Sequence, residues 1–275
     1  RHKHTLKQSQ SKLVQLNRTE QIFYNINSTD NDVDSISLMK VHGCIMIVTW
    51  IVIVSTGILI ARYFKISFVN KKLCGEAVWF SLHRAFMSCA AVLTVLGFLF
   101  ILVHNKGTWV EYQPNSKEYA HSIVGVIVVG LAFFQPFLAS FRCHTDSRYR
   151  FIFKYLHGFI GITSFVLSIA AMFLAVLFTG FSFKPSSIGW GILSGWSCWI
   201  VIVFLLYEGI EIYFKSRNTG PYSADSDSGS LIVNDTVIIN SLKEKIKMFL
   251  LFAHILVALA LSLTLVIELG LMTFS

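Results

Sequence analysis

After a polar opening, the chain runs as six long apolar blocks separated by polar connections. The blocks lie at roughly 39–62, 78–103, 120–141, 152–179, 189–213 and 248–272. Each is near the ~20 residues that an α-helix needs to cross a bilayer. A bilayer interior admits only elements that satisfy their own backbone hydrogen bonds, so the pattern predicts an all-α membrane protein, a six-transmembrane helical bundle. Residues 1–38, rich in Asn, Gln, Lys and Ser, read as a tail or linker. Residues 39–213 form the core with the fifth span, 214–247 a loop, and 248–275 the sixth span. The loop has a flexible composition, with Asn218-Thr219-Gly220-Pro221 and a Ser/Asp run from Ser223 to Ser230. Its apolar patch, Leu231 to Ile239, is expected to rest on the membrane surface or on the bundle. The chain opens on Arg1, and its polar start suggests a piece of a longer protein.

Composition supports the membrane class. Of 275 residues, 54% are hydrophobic and 14% charged, with a mean hydropathy of +0.63; a soluble domain carries about a quarter charged residues. The net charge of +8 does not indicate nucleic acid, because the basic residues lie mainly in short loops. The odd loops hold Arg62, Lys65, Lys71 and Lys72, then Arg142, Arg148, Arg150 and Lys154, then Lys215, Arg217, Lys243, Lys245 and Lys247. The even loops hold only Lys106, Lys117 and Lys184. Basic loops stay in the cytoplasm, so the amino-terminal tail is expected outside or in a lumen. The sequons at Asn17 and Asn27 fall in that tail, making both candidate glycosylation sites, while the Asn234 sequon falls on the cytoplasmic side. Five scattered cysteines without a CxxC pair fit neither a disulfide framework nor a zinc site. The expected location is a plasma membrane or endomembrane, in contact with lipid; self-association as a homodimer is left open.

The candidate chemistry lies in four histidines. His42, His83, His121 and His157 each sit near the start of a separate block. Successive spans alternate in direction, so His42 and His121 share the outer side and His83 and His157 the cytoplasmic side. Ionisable groups inside a membrane are costly and mark function by default. Two imidazole pairs at two depths, on the order of 10–20 Å apart in a ~30 Å core, match two bis-histidine haem b groups. Iron ligated on both faces is suited to moving electrons. Gly43, Gly125 and Gly158, beside or one turn after these histidines, would give a macrocycle room. Arg84, Arg150 and Lys154 are candidate partners for haem propionates. His104, Lys106 and Tyr112, at the outer end of the second span, are candidate substrate contacts. His254 has no partner at matching depth and reads as polar packing. Pro136 is expected to kink the third span.

His42-Gly43, Ser81-Leu82-His83-Arg84, Tyr119-Ala120-His121-Ser122 and Tyr155-Leu156-His157-Gly158 together resemble the cytochrome b561 family over about residues 39–180. Within it, the chain is most similar to the branch in which a DOMON domain precedes the membrane core. The resemblance implies a four-helix, two-haem b561 core that passes electrons from cytosolic ascorbate to an acceptor outside, here a ferric chelate. It implies a transmembrane ascorbate-dependent ferrireductase. One departure is that Ala77 to Leu82 contains no lysine, where the short members place lysines that serve ascorbate. Two other classes stay open: a non-catalytic membrane partner or auxiliary subunit, and a metal-ion transporter using the same histidines.

Overall fold

The structure, a computed structural model, describes residues 37–68, 71–141, 148–178, 187–218 and 229–271. Asn17, Asn27, Arg142, Cys143, His144 and Lys184 lie outside the described residues, and the side chain of Asn234 is likewise not described. Among the described residues, six helices are long and apolar enough to cross a membrane, as the blocks predict. They are α1 (Ser37–Tyr63), α2 (Val78–His104), α3 (Lys117–Ser140), α4 (Arg150–Val176), α5 (Ser187–Asn218) and α6 (Gly229–Leu271). The protein is an integral membrane helical bundle. Its ends are called proximal, where α1 begins, and basic, where α1 finishes.

Helix α1 is the one the others gather around. Trp50, Ile51, Val52 and Val54 are buried in one cluster with Trp196 and Ile200 of α5, Ala258 and Leu265 of α6, and Ala90 of α2. Helix α3 is the opposite case. Val128 is its buried residue, and Phe133, Phe134 and Phe137 are each about half exposed, as side chains bathed in lipid would be. The middle of α1, Thr49–Val54, winds as a π-helix. Such a turn takes up one residue more than an α turn and is frequent at functional places. Ser55 follows it, and its hydroxyl lies within hydrogen-bond distance of the carbonyls of Ile51 and Val52. Its hydroxyl also meets His254 Nε2 at 3.0 Å. His254 is fully buried, so the packing role expected for it has a specific partner.

Two boundaries differ from hydropathy in an informative way. Helix α3 starts at Lys117, ahead of the apolar block, because the Ser116 hydroxyl accepts from the Tyr119 N–H at 3.1 Å and caps the helix. Helix α6 starts at Gly229 and not at 248, so the stretch expected as loop is helical from 229 onward, and the patch Leu231 to Ile239 lies within α6. Lys243-Glu244-Lys245-Ile246-Lys247 is too charged to read as a span, yet lysine and glutamate are good helix formers.

Those charges are internal to the fold. Lys247 is fully buried; its Nζ lies 3.0 Å from Glu244 Oε1 and 3.4 Å from Glu211 Oε1, over the Phe64 ring. Lys243 pairs with Glu211 at 2.6 Å, and Ser67 donates to Glu244. Beside them Arg62 and Tyr63 both bond Glu208, at 2.6 and 2.8 Å. Removing one partner of a buried ion pair costs about 3–5 kcal/mol. Lys247→Ala is therefore expected to destabilise the detergent-purified protein by about 3 kcal/mol in a denaturation series. Exposed Lys245→Ala should stay within about 0.5 kcal/mol of the parent. Equal effects from the two variants would contradict the network's role.

Between α1 and α2 a small hairpin turns the chain back. β1 (Lys72–Leu73) pairs antiparallel with β2 (Glu76–Ala77). The two turn residues, Cys74 and Gly75, have φ of 52° and 81°, the double positive φ of a type I′ turn. Ser81 Oγ then donates to the Leu73 carbonyl at 2.7 Å, which ties the hairpin to the first turn of α2, just before His83.

Candidate functional site: two facing histidine pairs

The structure brings together the histidines that the sequence pairs by depth. His42 of α1 and His121 of α3 face each other near the proximal end, ring centres 6.3 Å apart and planes at 82°. His83 of α2 and His157 of α4 do the same near the basic end, at 6.3 Å and 81°. Two ring nitrogens each about 2 Å from one metal, with each ring centre about 1 Å farther back, put the centres roughly 6 Å apart. A direct N–H···N bond of about 3 Å would bring them to roughly 5 Å. Both gaps therefore have the length of an imidazole–metal–imidazole bridge.

The second ring nitrogen of three histidines is anchored to backbone. His42 Nδ1 meets the Gly97 carbonyl at 2.8 Å, His83 Nδ1 the Gly57 carbonyl at 3.0 Å, and His121 Nδ1 the Ala171 carbonyl at 2.9 Å. A carbonyl oxygen can only accept, so Nδ1 carries the proton and Nε2 is left with its lone pair. That is the tautomer a metal ligand needs, and the bond fixes ring orientation and raises ligand basicity. Glycine makes the anchoring possible. A Cβ at Gly97 would fall 2.9 Å from Met46 Cε and 3.3 Å from Ile45 Cγ2 of α1, and one at Gly57 would collide with Met87 of α2. The close α1–α2 approach thus brings each backbone within reach of the other helix's histidine.

Each pair supplies two ligands. Among the described residues no group of three or more His, Cys, Asp or Glu is assembled that could hold a metal ion without further donors. A tetrapyrrole brings four nitrogens of its own, so the arrangement fits haem. A Cβ at Gly125 or Gly158 would meet nothing within 4 Å. Gly43 is different: a Cβ would lie 2.6 Å from Leu269 Cδ2, so this glycine serves the packing of α6 on α1 and not the approach of a macrocycle. Residues 41–182 match the family model for eukaryotic cytochrome b561. The chain belongs to this family. Membership implies haem b, for which the paired imidazoles are suited.

The relatives include ferric-chelate reductase 1 of Homo sapiens, 34% identical over 183 residues, covering 66% of this chain and 30% of that protein. Ferric-chelate reductase 1 of Bos taurus is 34% identical over 197 residues, covering 70% and 32%. A cytochrome b561 and DOMON domain-containing protein of Arabidopsis thaliana is 26% identical over 201 residues, covering 71% and 45%. The chain thus spans about a third of the length of the two ferric-chelate reductases. No solved structure matches it.

The other predicted residues of this cytochrome b561 chain fall at its two ends. Arg84 is exposed, with its guanidinium 5.4 Å from the centre of the Phe80 ring. Arg150 opens α4, half-buried, and Lys154 is exposed one turn on. Lys65, which sequence reasoning used only for orientation, joins them. Its ammonium lies over the Trp79 ring at 5.8 Å. Burial first, then the Lys154 and Arg62 cations, holds its pKa below the usual lysine value. A lysine held among cations that lower its affinity for protons marks a place where an anion is welcome. At the proximal end His104 closes α2. Lys106 and Gly107, at φ of 52° and 74°, turn the chain, and the exposed Tyr112 ring packs against Tyr119 at 5.2 Å. Sequence reasoning missed the backbone acceptors, Gln135, Ser55 and the Lys247 network. The only signal for the acceptors is a small residue 14 or 15 positions from a histidine, which is legible only once the pairing is known.

Proposed function

We propose that this chain carries electrons across a membrane, taking them from cytosolic ascorbate and delivering them to an extracellular or lumenal ferric chelate. The reading rests above all on two imidazole pairs at metal-bridging separation, one near each end of the bundle. When bound, haem b supplies a one-electron ferric/ferrous couple at each site. His42 with His121, and His83 with His157, would hold it through Nε2. With two imidazoles given to one iron, each site would be suited to passing electrons and not to binding a substrate at the metal. Arg84, Arg150 and Lys154 are suited to propionates, and Lys65 with Trp79 to an anionic reductant. His104, Lys106 and Tyr112 are the corresponding candidates on the acceptor side. One electron leaves the donor on one side, and one ferric ion becomes ferrous on the other. The loop charges put the basic end in the cytosol, the tail outside, and Asn17 and Asn27 within reach of glycosylation.

Pyridine haemochrome quantification of purified protein tests the reading. Two haem b groups per chain are expected, both low-spin. Folded protein that takes up no haem would overturn it, and would leave an auxiliary membrane partner or a transporter as the better account.

A further inference from the structure

The four histidines are anchored by rule, with one exception. Helices α1 and α2 exchange acceptors: Gly97 of α2 serves His42, and Gly57 of α1 serves His83. In the second half, Ala171 of α4 serves His121 of α3. Reciprocity asks α3 to serve His157 of α4. Instead, His157 Nδ1 is buried and has no partner.

The spacing identifies the place where the acceptor belongs. Fourteen positions separate His83 from Gly97, and fourteen separate His157 from Ala171. In a regular helix that is close to four full turns, so ligand and acceptor share a face. In α1 the interval from His42 to Gly57 is fifteen, and the π segment Thr49–Val54 absorbs the extra residue. Fourteen positions after His121 comes Gln135.

Gln135 already reaches the right turn of α4. Its Nε2 donates to the His157 carbonyl at 3.1 Å, and the amide lies against Gly161, where a Cβ would stand in ordinary contact at 3.6 Å from Nε2. Its Oε1 is also buried and without a partner. Exchanging the amide's oxygen and nitrogen would not help, because it would set oxygen against the His157 carbonyl. Two orphaned groups thus sit on the same two residues, one an acceptor and one a ring nitrogen that must donate if Nε2 is to bind metal. Each orphan costs about 1–3 kcal/mol while unpaired.

We propose that Gln135 is the positioning residue of the basic-end pair, its side-chain oxygen accepting the Nδ1–H of His157 where the other three histidines use a backbone carbonyl. This rests on the electron-transfer reading above. It makes the basic-end site the one whose ligand basicity is set by an exchangeable side chain. An acceptor on Nδ1–H makes the imidazole a stronger donor and favours the more positive ferric iron. Its loss favours the ferrous state and raises the reduction potential.

The test is a spectroelectrochemical titration of the purified, haem-loaded full chain, resolving the two haems, with low-temperature EPR of each. Gln135→Leu is expected to shift the basic-end ratio of reduced to oxidised haem about tenfold, ~59 mV upward for one electron. Gln135→Glu keeps an acceptor oxygen and should hold the potential at or below the parent's. The proximal haem should be unmoved in both, and the EPR signal should change only for the basic-end centre. Equal upward shifts in both variants, or no shift in either, would overturn the assignment. If Gln135→Leu loses haem, a potential raised in Gln135→Glu also overturns it, and one held or lowered supports it. A parent lacking two bis-histidine signals sinks the electron-transfer reading and this assignment with it; a parent with both and unmoved variants sinks the assignment alone.

Discussion

Replacing His83 or His157 with alanine is expected to remove the basic-end haem and leave the proximal one, so that content falls from two per chain to one. His42→Ala and His121→Ala should do the reverse. The expectation follows from separation. His83 and Gly97, whose carbonyl anchors His42, are fourteen residues apart on one helix, ~21 Å at 1.5 Å per residue. No imidazole of one pair can reach across to replace a ligand of the other. His254→Ala is the control. It removes a buried histidine close to the basic-end pair in depth, but that ring is engaged with the Ser55 hydroxyl, while His83 is anchored on the Gly57 carbonyl. It should cost stability and leave both haems ligated. Reduced-minus-oxidised spectra with haem quantified per chain decide the matter. Loss of a haem on His254→Ala with His157→Ala silent would refute the pairing by depth.

That pairing could be read in the sequence because it depends on one-dimensional quantities, namely distance from the end of an apolar run and the alternation of spans. The six helices were legible for the same reason. The start of α6 was not, because Lys243 to Lys247 reads as solvated loop until Glu211 and Ser67, far away in the chain, are seen to meet those charges. The same limit hid the histidine anchors. Gly57, Gly97 and Ala171 contribute a main-chain oxygen, which every residue has, and only the crossing of two helices selects which one is used. The π turn was hidden because Thr49–Val54 is an ordinary apolar stretch; its one surplus residue shows only against the fourteen-residue interval of α2 and α4. Gly43 was misread because sequence places it beside His42 but cannot place Leu269 of α6 against it.

The largest functional effect is expected in sealed vesicles. With the basic end facing an ascorbate-filled lumen, the parent protein should reduce an external ferric chelate, and protein-free vesicles should not. Each of the four histidine-to-alanine variants should fall to the protein-free rate. The reason is the width of the barrier. The apolar core is ~30 Å thick. The basic-end pair lies five to seven residues into its helices, and the proximal pair four to five into theirs. Each centre is therefore near one surface and far from the other. With His83 or His157 gone, the remaining centre is out of reach of an internal donor; with His42 or His121 gone, the remaining one is out of reach of an external acceptor. The two classes of variant should differ in a way that locates the break. His42→Ala and His121→Ala should still let internal ascorbate reduce their single haem, while external chelate leaves it reduced. His83→Ala and His157→Ala should leave the single haem oxidised until a reductant is added outside. A single-haem variant that moves electrons at the parental rate would end the two-centre reading while leaving the helical bundle intact.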